Sequence, residues 1–358
     1  MQLSDILSRG ICLLSLFIIG HAVAAEEMST NTPAESAVAL LLEQAHSHLS
    51  QGEAREALDY FNAALARNPT DYLTLFKRAT ALLSLGRTSL ATDDFGKALE
   101  LEPNFEGAHM QLANIRTRIG DWELARKHYI QAHRTPDSVE LRQIDEAQGA
   151  ANLAHLAESA FDWEECTQQA NAAISVANRA SALRQTRARC HLQLGNIDAA
   201  LADLQYIARM QSGDPTIHVN ISAITMYNLG DTRAAMMQAR RCLQLDPDSK
   251  PCRKLLANGK RIVQKLESII KLLPTAPMTA TGLLVGTLDE PGLISQIKID
   301  REALARDGIL PLSSPNELLS MLLGLACQGC YVVSFLCLVF ISQMLLKPVL
   351  NWLYKMLY

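Results

Sequence analysis

Three hydrophobic patterns succeed one another along the chain. Ile11 to Ile19 is a charge-free, mainly apolar run, preceded by weakly basic residues and followed by the small residues Ala22, Val23 and Ala24. A helix needs ~20 apolar residues to cross a bilayer, about twice this length, so the run predicts a signal peptide over 1–24 rather than an anchor. From about 37 to 250, apolar residues recur at helical spacing in short segments punctuated by Gly and Pro, which predicts helices joined by tight turns. A further amphipathic helix is expected over 252–273, ended by Pro274 and Pro277. The periodicity then fades: Thr275 to Gly286 is rich in Thr, Pro and Gly, and 274–316 reads as a linker. No charged residue lies between Glu317 and Lys347, so 318–346 is expected to be a transmembrane helix with a short tail, 347–358. Lys347 and Lys355 after the run, and Glu317 before it, put that tail in the cytosol and the helical region in the lumen.

The middle region repeats. Gly52, Gly86 and Gly120 recur at intervals of 34 residues, each followed by Ala (57, 91, 125), an aromatic (Phe61, Phe95, Tyr129) and Ala again (64, 98, 132) at fixed offsets. Pro69 and Pro103 close the first two copies. Weaker copies follow around Phe161-Asp162-Trp163 with Cys166 and Ala173, around Gly195 with Ala200, and around Gly230 with Ala235 and Pro247. The step from Gly120 to Phe161 implies a seven-residue insertion near Arg134 to Arg142. Glycine allows the left-handed backbone of a short interhelix turn, Ala lets paired helices approach, and the aromatic fills the gap to the next pair. This pattern resembles the tetratricopeptide repeat. The expected fold is all-α: a tetratricopeptide-repeat superhelix of about six helical hairpins (38–71, 72–105, 106–139, 147–180, 181–215 and 216–249), a capping helix and a C-terminal transmembrane helix.

Composition narrows the function. A net charge of −4 without a Lys/Arg cluster disfavours nucleic acid as a partner. No phosphate loop, dinucleotide fingerprint, zinc pattern or nucleophile elbow is present, so no enzymatic activity, cofactor or metal is expected. His46 and His48 stand two apart, on different faces of a helix, and are not a metal pair. Cys327 and Cys330 have redox-motif spacing but lie in an apolar run that would not favour a thiolate, and no redox role is expected. Of the other cysteines, Cys166, Cys190, Cys242 and Cys252 belong to the repeat region. Cys242 and Cys252 end one helix and begin the next, and an oxidising lumen favours a bridge between them over two free thiols. Pairing of Cys166 with Cys190 stays open. Asn220 begins an Asn-Ile-Ser glycosylation sequon that falls inside a predicted helix.

The tetratricopeptide resemblance implies that the first helix of each hairpin lines an inner groove through its second, fifth, ninth and twelfth positions. Those positions place Leu42 and Leu49, then Leu73, Phe76 and Leu83, then Met110 in the groove. An apolar groove fits exposed hydrophobic segments of other chains, with part of the stripe expected to pack between hairpins. Repeats that clamp a peptide carboxylate carry Lys, Asn and Arg there, whereas Leu42, His46 and Lys77 occupy the matched positions here. Chaperone C-terminal tails are therefore disfavoured as ligands.

Residues 188–191 (Ala-Arg-Cys-His), 228–231 (Asn-Leu-Gly-Asp) and 241–246 (Arg-Cys-Leu-Gln-Leu-Asp), with Cys252 and the N-terminal signal, resemble the endoplasmic-reticulum DnaJ co-chaperones of the subfamily C member three type over about 38–266. The resemblance implies binding of unfolded polypeptides through the six groove residues above, a Cys242–Cys252 disulfide and cooperation with the lumenal Hsp70. It also implies a J domain with a His-Pro-Asp tripeptide, which does not occur in these 358 residues, so J-type activity is not expected. Two readings follow: a lumenal, membrane-tethered holdase-like co-chaperone, or a membrane-tethered scaffold joining folded partners.

Overall fold

The computed structural model describes residues 33–287 and 290–330, which form sixteen helices grouped in two compact units. The signal peptide, the tail and the 331–346 part of the expected membrane span lie outside the described residues.

The first unit, residues 33–117 and 121–142, holds three helical hairpins. They are α1 (Pro33–Ser50) with α2 (Ala54–Arg67), α3 (Tyr72–Ser84) with α4 (Thr88–Leu101), and α5 (Glu106–Ile119) with α6 (Trp122–Gln131). Each interhelix turn closes with a glycine at positive φ, 82° at Gly52, 73° at Gly86 and 81° at Gly120. The following N–H reaches back to a carbonyl of the last turn, from Glu53 to His48, Arg87 to Leu82 and Asp121 to Arg116, which satisfies groups a helix end leaves unpaired. The repeated alanines Ala57, Ala91 and Ala125 are fully buried where helices cross, and Phe61 and Phe95 fill the space between hairpins. Complete burial of each such ring contributes about 2–3 kcal/mol.

The second unit, residues 118–120 and 143–330, continues with three more hairpins. They are α7 (Val139–Ser159) with α8 (Trp163–Val176), α9 (Ser181–Gln193) with α10 (Ile197–Met210), and α11 (Pro215–Tyr227) with α12 (Thr232–Leu245). The extra residues near 134–142 divide between a turn and the start of α7, which runs to 21 residues against 13 for α9. Phe161 takes the place of the turn glycine at φ 61°, with the same back-bond from Asp162 to Ala157. The helix expected over 252–273 is α13 (Lys250–Leu272), which buries Leu255, Ile262 and Ile269; further helices pack beyond it, so it does not end the array as a cap.

The chain does not relax into a linker after α13. Residues 274–316 contain α14 (Pro277–Val285) and α15 (Leu293–Arg306), which bury Ala280, Leu284, Leu293, Ile297 and Leu304 in the core of the second unit. The Pro and Gly residues read as linker signals are punctuation between these helices. Pro277 sits in the first turn of α14, where its missing N–H costs nothing. Gly286 and Gly292 bring two backbones together so closely that a Cβ on Gly292 would overlap Gly286 and Leu284.

Only the first part of the expected transmembrane helix, 318–330, falls within the described residues. These residues belong to α16, described over Glu317–Cys330, with Leu318 and Leu322 buried and the helix packed against α11, α14 and α15. Among the described residues no helix is long and apolar enough to cross a membrane. Leu318, Leu322 and Ala326 form one buried face of this helix, while Met321 is exposed.

Cys242 on α12 and Cys252 on α13 are disulfide-bonded, with Cα atoms 6.2 Å apart. A second bridge joins Cys166 on α8 to Cys190 on α9, Cα to Cα 6.3 Å. Cys166 stands in the repeat where Ala57, Ala91 and Ala125 stand, so the close contact normally made by a small residue is made covalently.

Candidate functional site

The candidate groove residues fall on the first helices of the first unit: Leu42 and Leu49 on α1, Leu73, Phe76 and Leu83 on α3, and Met110 on α5. None is fully buried. Leu73 is 42% exposed, and the other five are half-buried. Leu42, Leu49, Phe76 and Leu83 rest one side against the core of Phe61, Leu82 and Phe95 and leave the other open. The stripe thus serves packing and surface together, as an amphipathic helix edge does.

An aromatic cluster that the helical pattern did not disclose lies beside Leu73. The Phe76 ring meets Phe105 edge-on at 5.0 Å and Phe95 at 5.6 Å, and Tyr72 meets Phe105 at 5.1 Å. Phe105 sits in the turn before α5, outside any periodic stripe, so spacing alone could not find it. Gly107 makes room for the cluster: a Cβ there would lie 3.0 Å from Phe105 and 3.3 Å from Phe76.

Polar groups in this unit are largely paired off. Arg78 forks onto Asp94 (2.7 and 2.8 Å) and also donates to Asn62 (2.9 Å), tying α3 to α4 and α2. His46 leans on Phe61 at 6.1 Å; burial and then the Lys77 charge lower its pKa. His48 bonds Glu53 at 2.6 Å and stacks on Tyr60. The two histidines thus have different partners, and no cluster of three potential metal ligands occurs among the described residues. Deeper in the unit, His109 donates from Nε2 to the Pro103 carbonyl at 2.9 Å, which leaves its Nδ1 to accept from His128 Nδ1 at 3.0 Å. Burial first, then the neighbouring His109, Arg116 and Lys127, lowers the pKa of His128 to about 4.

In the second unit the glycosylation sequon lies on α11. Asn220 is half-buried, and the Ser222 hydroxyl is buried and donates to the Ala235 carbonyl at 2.9 Å.

Comparison with known proteins agrees with this architecture. The tetratricopeptide repeat family profile matches residues 42–104. The tetratricopeptide repeat and J domain-containing co-chaperone DNJ1 of Fusarium oxysporum is 45% identical over 309 residues, covering 86% of this chain and 59% of the relative. Its Cryptococcus neoformans namesake is 26% identical over the same shares of each chain. DnaJ homolog subfamily C member 3 of Gallus gallus is 27% identical over 63% of this chain and 46% of its own. The chain therefore spans roughly half to three fifths of the relatives it matches. Among solved structures, the tetratricopeptide domain of P58(IPK) superposes with a TM-score of 0.64 at 22% identity, over 83% of this chain and 88% of that one, which shows a shared fold. The chain has the tetratricopeptide-repeat fold, and the DNJ1 and DnaJ subfamily C member 3 co-chaperones are among its homologues.

Proposed function

We propose that the first three repeats hold apolar segments of unfolded polypeptides, making this chain a holdase-like co-chaperone of the endoplasmic-reticulum lumen. The carrying observation is the half-open apolar face of α1, α3 and α5, with Leu73 exposed at 42% beside the rings of Tyr72, Phe76 and Phe105. Such a face gains from covering any apolar side chain and lacks the fixed donors that would select one sequence. Two disulfides among the repeats support an oxidising compartment. A lumenal Hsp70 is the partner to which clients would pass, by analogy with the co-chaperone relatives. The proposal needs no membrane tether.

The test is suppression of aggregation of a chemically denatured client by the purified chain. Leu73→Asp, at an exposed site, is expected to keep the helical signal and weaken suppression several-fold; Leu73→Asp with Phe76→Asp abolishes it. Undiminished suppression by a folded double variant would overturn the reading. Crosslinking in cells separates the alternative: many sub-stoichiometric clients support a holdase, and one stoichiometric folded partner supports a scaffold.

A further inference from the structure

Three inner-face positions of repeats five and six, Leu192, Ile224 and Tyr227, are buried, unlike their counterparts in the first repeat, while Gln185 and Asn220 are half-buried and Arg189 is exposed. Counting α9 from Ser181 and α11 from Thr216, the fifth, ninth and twelfth positions are Gln185, Arg189 and Leu192, then Asn220, Ile224 and Tyr227. Ile224 and Tyr227 are completely buried. The equivalent Leu42, His46 and Leu49 of the first repeat are half-buried or exposed.

A non-helical stretch, Gly308–Asn316, leaves α15, passes beside α9 and α11 and enters α16. It is uncharged and contains Pro311 and Pro315. Its anchors are apolar and polar: Leu310 is 1% exposed within the core of the second unit, and Ile309 packs against that core. The Ser313 hydroxyl donates to Gln193 Oε1 at 2.6 Å, and Asn228 Nδ2 donates to the Ser314 hydroxyl at 2.9 Å and to the Pro315 carbonyl at 2.6 Å. Just beyond it, the Glu317 N–H donates to the Asn228 carbonyl at 3.2 Å. Gln193 and Asn228 are the thirteenth residues of their repeats, the last on each first helix or just past it. From the other side, buried Arg301 holds the bend of the stretch, donating from Nη2 to the Pro311 carbonyl and to the carbonyl and hydroxyl of Ser314, each at 3.0 Å.

The stretch fits the groove incompletely. Beneath Gly308 and Ile309 a cavity of about 100 Å³ remains, edged by Gln185, Arg189, Thr216 and Asn220. Gly308 contributes nothing to fill it, and an occupant with an apolar side chain there would. Leu312 projects away and is exposed.

We propose that the inner face of repeats five and six is a second polypeptide-binding groove, occupied in this structure by the chain's own Gly308–Asn316 segment acting as a tethered ligand. The occupant class is an uncharged, proline-containing segment with a turn, whose carbonyl and hydroxyl groups accept from Asn228. A tethered ligand competes at an effective concentration on the order of millimolar, so a free peptide enters only when the segment is displaced. Release is a local opening of this stretch, not of the helices beneath it.

The probe is a fluorescein-labelled synthetic peptide with the sequence of residues 308–318, titrated into the full chain and into Asn228→Ala/Ser313→Ala. The variant is expected to bind it at least tenfold more tightly than the unaltered chain, and a photoreactive form of the peptide to label α9 and α11. Hydrogen exchange on the unaltered chain supplies a measurement independent of the variant's folding: the Ile309, Ser314 and Glu317 amides should exchange well ahead of the central amides of α11. Co-exchange with α11 overturns the proposal, as does a folded variant that binds the peptide no better. Leu73→Asp is expected to leave this binding unchanged, so the two grooves stand or fall separately.

Discussion

Asp94 and Asp203 perform the same task in two repeats, and their removal tests how far ion-pair clamps hold the array together. Asp94 is 4% exposed on α4 and accepts two bonds from Arg78, whose guanidinium also reaches Asn62 on the preceding hairpin. Asp203, 3% exposed on α10, takes the same fork from Arg187, which reaches Asn171, and a further bond from Arg184 at 3.0 Å. Replacement by Asn keeps the shape but removes the charge and turns a donor towards a guanidinium. Charge-assisted bonds contribute roughly 1.5–3 kcal/mol each, and stranding one member of a buried pair costs about 3–5 kcal/mol. The Arg78 side chain is 22% exposed and keeps part of its hydration, which lowers the cost. Asp94→Asn is thus expected to destabilise by about 2–3 kcal/mol. Asp203→Asn, which strands two arginines, should cost about 3–4 kcal/mol. Urea unfolding followed by helical circular dichroism gives the magnitudes, and native-state hydrogen exchange shows whether protection falls first in the hairpins around each site. An apolar pair, Arg78→Met with Asp94→Leu, should recover most of the loss because neither charge is then buried alone. A cost below about 0.5 kcal/mol for both single variants, within the range of ordinary surface substitutions, would refute the clamp.

Two further outcomes follow from the same geometry. His128 has a folded pKa of about 4, below the ordinary 6.5, so the unfolded chain binds the extra proton between those values. Its contribution is full above about pH 6.5 and is lost as pH falls towards 4; with solvent screening it amounts to about 1–2 kcal/mol. The stability profile of His128→Gln, followed by denaturant unfolding, should be flatter across that window, and an unchanged slope counts against it. Phe161→Gly should raise the melting temperature, since a bulky residue at φ 61° and 75% exposed gives up little burial and glycine relieves about 1 kcal/mol of backbone strain. A lower melting temperature would show that the ring makes a contact worth more than the strain.

The repeats were legible because the restraint is local. The glycine turn, the alanine crossing and the aromatic filler recur at fixed offsets, and each acts within one hairpin or its neighbour. The helices after Leu272 were illegible for the opposite reason. The burial of Ile297 and Leu318 depends on α11 and α14 being beside them, and no spacing rule encodes a partner so distant in sequence. The Thr/Pro/Gly content of 275–286 belongs to short helices with close backbone approaches at Gly286 and Gly292, and composition alone does not separate that from a linker. Among the groove residues, Leu42, Leu49, Phe76 and Leu83 were identifiable by register, but their shared role in the Phe61 and Phe95 core was not. Phe105 escaped because a turn residue carries no periodicity.

The contrast between equivalent positions on first helices carries the functional argument furthest. Register alone treats Leu49 and Tyr227 alike, as twelfth residues of repeats one and six. Burial separates them: Tyr227 is sealed by residues that arrive from the C-terminal helices, with Asn258 donating to its hydroxyl at 3.3 Å, whereas Leu49 keeps an open side. Covering an apolar side chain contributes roughly 25 cal/mol per Å². In repeat six that gain is already taken within the chain and cannot be offered to a client without first undoing it. In the first repeats, part of it is still available to an incoming polypeptide. The position code of the repeat therefore nominates a groove in every hairpin, and only the packing of the remaining chain decides which one is free to bind.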